Sequence, residues 1–324
     1  MALNTQLGIG AETTYGTAVT VTRFQEFLNE SVKPVIVTSE SEALRASGTY
    51  KRTTGYCRHV SGYDGSVSFE PLTKGSGIWL KYMLGTVATG AAVDSAYEHT
   101  FTSGSLCGAN TTFTMQVNRP LGACGTTPQA FTYISGKVAS WKLSMSQGGF
   151  LVADVTLLFA GGTTVTALAT ASYPVGADPF CWGAASVTVG GTTVPVTEWA
   201  VEVDNMLKDD RRRIYGGSDR LEPVRNGIPT AKVSFTADWE NLTHYNAMTA
   251  GTLVAFEATA TSPTLIGATS TPRLQITMPK VRIDEAGTAI SGVEMLTESV
   301  SGEGLFDGTD QAITVKYRTA DATP

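Results

Sequence analysis

The sequence predicts an all-β protein made of two copies of one domain, each with one short helix. Three observations carry this. Apolar residues alternate instead of recurring at helical spacing, Gly and Thr are abundant while charged residues are only 16% of the chain, and one stretch of sequence occurs twice. Gly65–Ser–Val–Ser–Phe69, followed by Trp79, Tyr82 and Gly85, returns as Lys232–Val–Ser–Phe235, followed by Tyr245, Met248 and Gly251. Val67 matches Val233, Phe69 matches Phe235, Trp79 matches Tyr245 and Gly85 matches Gly251 at one spacing of 166 residues, without a gap. Upstream, Phe24–Gln–Glu–Phe27 through Lys33 finds a looser echo in Val196–Thr–Glu–Trp199 through Lys208, with Glu26 and Glu198 at a spacing of 172. A period this long, far above the roughly 20–50 residues of solenoid units, implies fused domains and not a repeat array.

Taken in chain order, each copy reads as a strand ending in Lys, a polar loop, a strand and a helix. The loops are Ser39 to Gly55, with Glu40, Glu42, Arg45, Lys51 and Arg52, and Lys208 to Gly227, with Asp209, Asp210, Arg211, Arg212, Arg213 and Gly216–Gly217. A long loop at the same place in both copies is a candidate inter-subunit contact, expected to be mobile in an isolated monomer. Ile78, Trp79, Tyr82 and Met83 set a helix of two or three turns in the first copy, and Leu242, Tyr245 and Met248 one in the second, which Asn241 or Thr243 is placed to cap.

Trp141–Lys–Leu–Ser–Met145, the turn Gln147–Gly–Gly149, and Leu151, Ala153, Val155, Leu157 and Phe159 form a hairpin. Val201–Asp204, Val233–Trp239, Leu274–Met278 and Ile313–Tyr317 alternate in the same way, one face for a core and one for water or a neighbour. Such half-buried strands belong to a sandwich or a small barrel. The boundary falls in Tyr173–Pro–Val–Gly–Ala–Asp–Pro179, giving domains 1–175 and 176–324.

The 324 residues suffice for two domains of about 150 residues with their own cores. A net charge of −6 argues against a nucleic-acid reader driven by counterion release. Cys57, Cys107, Cys124 and Cys181 form no CxxC pair, so they read as reduced, mostly buried thiols. The opening Met-Ala-Leu-Asn-Thr has no leader pattern and no apolar run reaches bilayer length, which points to synthesis and assembly in a cytoplasm without membrane insertion.

Catalytic and ligand signatures do not emerge. Gly136–Lys137–Val138 lacks the hydroxyl of a phosphate loop, Gly8–Ile–Gly10 lacks the third glycine of a dinucleotide fingerprint, and no Gly-x-Ser-x-Gly elbow occurs. His59, His99 and His244 are isolated and read as solvated or satisfied side chains on a β surface, not metal ligands. Asp209–Asp–Arg–Arg–Arg213 neutralises itself and reads as a solvated or subunit-bridging loop. The expectation is a chain with no cofactor, no metal and no enzymatic activity.

The run Leu7–Gly–Ile–Gly–Ala–Glu–Thr–Thr–Tyr–Gly–Thr–Ala–Val–Thr20 with Thr22–Arg–Phe–Gln–Glu–Phe27 closely resembles the opening of tail tube (major tail) proteins of long-tailed, siphovirus-like bacteriophages. So do Asp64–Phe69, Gly77–Gly85, Pro179–Phe180 with Val187–Gly191, and Val315–Asp321, so the likeness spreads over nearly the whole chain. The resemblance implies tandem tail-tube β-sandwich or half-barrel domains whose rings stack into a hollow tube in the virion tail. It also implies six domain positions per ring, so that two fused domains need three chains. Tape measure, tail terminator and distal tail proteins are the expected partners, with genome DNA passing through unbound. Edge strands that threaten a monomer find partners in such a ring.

Two other readings compete with this one. The tube of a related bacterial injection or contractile particle is disfavoured by the duplication, since those subunits are shorter. A carbohydrate-binding or hydrolytic sandwich would need Trp141, Trp182, Trp199 and Trp239 free to stack on sugars, but Trp141, Trp199 and Trp239 alternate with core aliphatics.

Overall fold

The alternation seen in the sequence becomes one extended antiparallel wall backed by smaller sheets. A computed structural model describes residues 4–43, 50–214, 220–288, 290, 293 and 295–324. The first part of the chain forms β1 (Leu7–Glu12), β2 (Arg23–Gln25), β3 (Asn29–Glu30), β4 (Lys33–Glu40), β5 (Tyr56–Phe69), α1 (Gly77–Leu84), β6 (Gly85–Thr89), β7 (Tyr97–Ser103), β8 (Thr112–Asn118), β9 (Ala130–Ser146), β10 (Val152–Phe159) and β11 (Gly161–Thr163). A connection over 164–181 and a 3-10 turn at Trp182–Ala184 lead on. The second part forms β12 (Ala185–Val189), β13 (Thr192–Thr193), β14 (Val196–Asp204), β15 (Thr230–Asp238), α2 (Thr243–Ala250), β16 (Val254–Thr261), β17 (Arg273–Gly287), β18 (Thr297–Gly304) and β19 (Thr314–Thr319). The fold is all-β with two short helices.

The wall runs β4–β5–β10–β9–β14–β15–β18–β17, every neighbour antiparallel. β3 continues the β4 edge against β5. Two long strands leave the wall through their N-terminal portions. β9 pairs there with β8 and β11, and β8 carries β1 and then β2. β17 pairs there with β16 and β19, and β16 carries β12 and then β13. The β6–β7 hairpin has no counterpart between α2 and β16; its strand β7 pairs with β19, so the two parts of the chain meet at β9–β14 and again at β7–β19.

Alternation decides which face is buried. Leu151, Ala153, Val155, Leu157 and Phe159 are all at most 1% exposed, joined to β9 by a turn in which Gly148 has φ 80°. Trp79 on α1 stacks near Phe69 (5.0 Å) and Phe113 (5.8 Å), which seats the helix on the core. Gly85 and Gly251 end the two helices in the left-handed region (φ 99° and 66°), the conformation that explains glycine at both matched positions. Neither Asn241 nor Thr243 is the N-cap of α2, which is Leu242 without a side-chain cap; Asn241 accepts the Thr243 amide at 2.9 Å in the turn that leads into the helix.

Several expectations are corrected. All four cysteines are free and exposed, because they fall on the outer side of β5 and in connections and not at core-facing positions. His99 and His244 are buried, not at the surface: His99 bridges the Thr89 hydroxyl (2.8 Å) and the Asp321 carbonyl (2.9 Å), and His244 Nδ1 meets Glu298 Oε1 at 2.6 Å. Trp141 and Trp199 are core residues, but Trp239, just past the end of β15, is half-buried. Leu242, just before α2, and Tyr245 on it are exposed, whereas all of α1 except Lys81 is buried.

Candidate functional site

The uncovered face of the wall is polar and ordered in rungs. Strand register places Asp154 opposite Lys142, Lys142 opposite Glu202, Glu202 opposite Lys232, Lys232 opposite Glu303 and Glu303 opposite Arg282. Charges of alternating sign thus cross six strands at right angles to them, the favourable arrangement for cross-strand neighbours. Arg282 Nη2 reaches Glu303 at 3.0 Å. The next rung is small and neutral over Ser144, Ala200, Ser234 and Ser301 before it ends at Glu285, and the one beyond holds Ser146, Glu198, Thr236 and Ser299. On the other side of the belt, Thr156, Ser140, Asp204 and Thr230 share a rung. The belt is balanced; Glu198, Asp204 and Glu285 tip the face toward negative, because no cation shares their rungs.

Where the wall passes from the first part to the second, a clasp holds the seam. Arg220 sits in the β14–β15 loop with its side chain 1% exposed, and its guanidinium meets Asp64 of β5 in two parallel bonds (2.6 and 2.9 Å). Gly62 makes room for it: a Cβ there would lie 3.2 Å from the Arg220 guanidinium carbon and 2.8 Å from the Phe159 carbonyl, on a backbone with φ 135°. Tyr15 donates to the Arg220 carbonyl at 2.8 Å. In the same loop Glu222 pairs with buried Lys137 of β9 at 2.7 Å. Burial pushes the Lys137 ammonium down from its usual value, and Glu222 pulls it back. Asn205 closes the seam by donating to the Met83 and Val138 carbonyls.

The loop residues expected from the sequence are therefore placed unequally. Arg211 donates to the Glu222 carbonyl and is partly buried, as is Arg212, while Asp209, Asp210 and Arg213 are exposed. Lys208 pairs with Asp210 (3.2 Å), which holds that carboxyl below its usual range. In the other loop Lys51 pairs with Glu40, and Glu42 and Arg52 are exposed. Arg45 and Gly216–Gly217 lie outside the described residues. Sequence reasoning missed Arg220, Lys137, Glu222 and Asp64, whose only signal was a lysine and an arginine in otherwise polar or β-patterned context.

Two edges of the wall have no second strand partner among the described residues: β3–β4 at one end, paired only with β5, and Arg282–Gly287 of β17 at the other, paired only with β18. The wall thus has eight strands, one polar face and two edges without a second strand. The family model described as phage tail tube protein matches residues 2–317. The chain belongs to the phage tail tube protein family. No curated protein matches it. As a tail tube protein it is a structural component of the virion tail that self-assembles into a tube.

Proposed function

We propose that this tail tube protein forms stacked rings around a channel through which genome DNA leaves for the host. Each ring holds three chains, each chain being a tandem duplicate of one tube domain with its boundary near 173–179. The observation that carries the reading is the β9–β14 seam: one chain already joins two four-strand units, β4–β5–β10–β9 and β14–β15–β18–β17, edge to edge. Both units use the same pairing plan, with a helix after the second strand, and three copies would close about 24 strands.

The polar face then lines the channel. Its hydroxyl rungs and slight acidic excess repel phosphate and offer DNA nothing to hold. The loops Ser39 to Gly55 and Lys208 to Gly227 lie at contacts between subunits or rings, and assembly takes place in the host cytoplasm with tape measure, terminator and distal tail proteins. Microscopy of the purified chain, concentrated until it associates, tests this. Hollow rings or tubes support it, and compact monomers at every concentration would sink it.

A further inference from the structure

The two open edges of the wall are closed in the free chain by side chains that stand in for a neighbouring strand. Ser31 donates its amide to the Ser66 carbonyl (3.0 Å), so by strand alternation Glu30 and Val32 turn their backbone groups away from β5. The Val32 amide is taken by the Glu30 carboxylate at 2.6 Å, and the Val32 carbonyl accepts from Arg119 at 2.6 Å and from the Tyr133 hydroxyl at 3.3 Å, while Arg119 also grips Glu30. At the far edge the Ala286 amide points away from β18 and finds only the Met248 sulfur, at 3.2 Å. A thioether is a weak acceptor.

The chain holds its own template for what replaces these caps. Glu30 lies opposite Val67 as Val201 lies opposite Val233, and Ala286 lies opposite Val300 as Leu143 lies opposite Ala153. Within the chain, Val201 pairs with Leu143. The same operation sets Glu30 of one copy opposite Ala286 of the next, and Ser31 opposite Glu285, as Glu202 is opposite Lys142. The hydrogen-bonding sides agree, since Glu30 and Ala286 both turn their backbone groups outward. A further contrast points the same way. Trp79 of α1 is 1% exposed, but Tyr245 at the matched place on α2 is 43% exposed, next to exposed Leu242 and Leu253.

We propose that ring formation adds the Asn29–Lys33 edge of one copy to the Arg282–Gly287 edge of the next, in the register β14 has on β9. Glu30, Arg119 and Met248 then give up the backbone groups they hold, and until that happens they keep the edges from pairing at random. The inference rests on the ring reading above.

The test is a disulfide between Ser31→Cys and Glu285→Cys, in a chain whose four native cysteines are serine. Mild oxidation of assembled rings should give covalent multimers, each single variant none, and a mixture of the two singles only pairs. Rings intact by microscopy but unlinked, or linked instead by Ser31→Cys with Gly287→Cys, overturn the register; absence of any ring counts against the ring reading itself. For the caps, Arg119→Gln should lower the concentration at which assembly begins several-fold, with Arg119→Lys near the unmodified chain. An unchanged onset in Arg119→Gln overturns the exchange.

Discussion

Arg220 and Asp64, 156 residues apart in sequence, form a two-pronged ion pair that fastens the second part of the chain onto the first. The arginine is buried, so losing its partner leaves an uncompensated charge in a poorly hydrated place. Asp64→Ala should therefore cost about 3–5 kcal/mol of unfolding free energy, whereas the double change Asp64→Leu with Arg220→Met should recover most of it. Urea unfolding of both variants checks this, and equal losses would mean that packing at Gly62, and not charge, matters at the seam.

A second fastening is titratable. The Asp94 carboxylate, in the β6–β7 turn, accepts the amides of Ala268 (2.9 Å), Thr269 (2.5 Å) and Ser270 (2.8 Å) from the β16–β17 connection. These bonds, that of Ala268 foremost, hold the Asp94 carboxyl well below the usual carboxylate range. A depressed folded-state pKa means its stabilisation is complete above the unfolded value near about 4 and drains away as pH falls toward the lower folded value. Asp94→Asn should remove that part of the acid dependence and speed amide exchange in β7 and β19 at neutral pH. Unaltered exchange there would deny Asp94 a role in docking the hairpin.

The local parts of this fold were legible and the distant ones were not. The β9–β10 hairpin and the glycine ends of both helices follow from alternation and φ preference within a few residues of chain. The seam does not, because nothing near Lys137 or Arg220 announces a partner 85 or 156 residues away. The sequence reads Asp209–Arg213 as a solvated or subunit-bridging loop and carries no sign that Glu222, further along the same loop, is bound to β9. The cysteines were misread because a general preference for burial was applied to positions whose flanking pattern was polar.

The matched positions of the two parts also offer an experiment in the core. At the constant spacing, His244 on α2 corresponds to Ile78 on α1, and by strand pairing Glu298 corresponds to Leu151; the first part has apolar residues where the second has a buried His–Glu contact. Glu298→Leu alone should destabilise by a few kcal/mol, since it strips the imidazole of its partner, and His244→Ile with Glu298→Leu should be about neutral or stabilising. Thermal unfolding separates the cases. A double variant as unstable as the single one would assign the contact a specific role in shaping the second part.

Ring copy number is the most exposed prediction. The wall of one chain carries two four-strand units joined at β9–β14, and its free edges, at β3–β4 and β17, are the counterparts of the strands that meet in that seam. Addition of copy to copy is then head-to-tail and closes into a ring when the turn per unit sums to a full circle. With six positions, as the family resemblance implies, three chains suffice, and seams within chains alternate with contacts between them. Trp79 and Tyr245 are buried and exposed at matched places, so the two kinds of junction would start from unequal surfaces. Native mass spectrometry of detached rings and symmetry analysis of the tube should give three copies and true threefold order, with sixfold order only at low resolution. Six copies per ring would refute the three-chain ring while leaving family membership untouched.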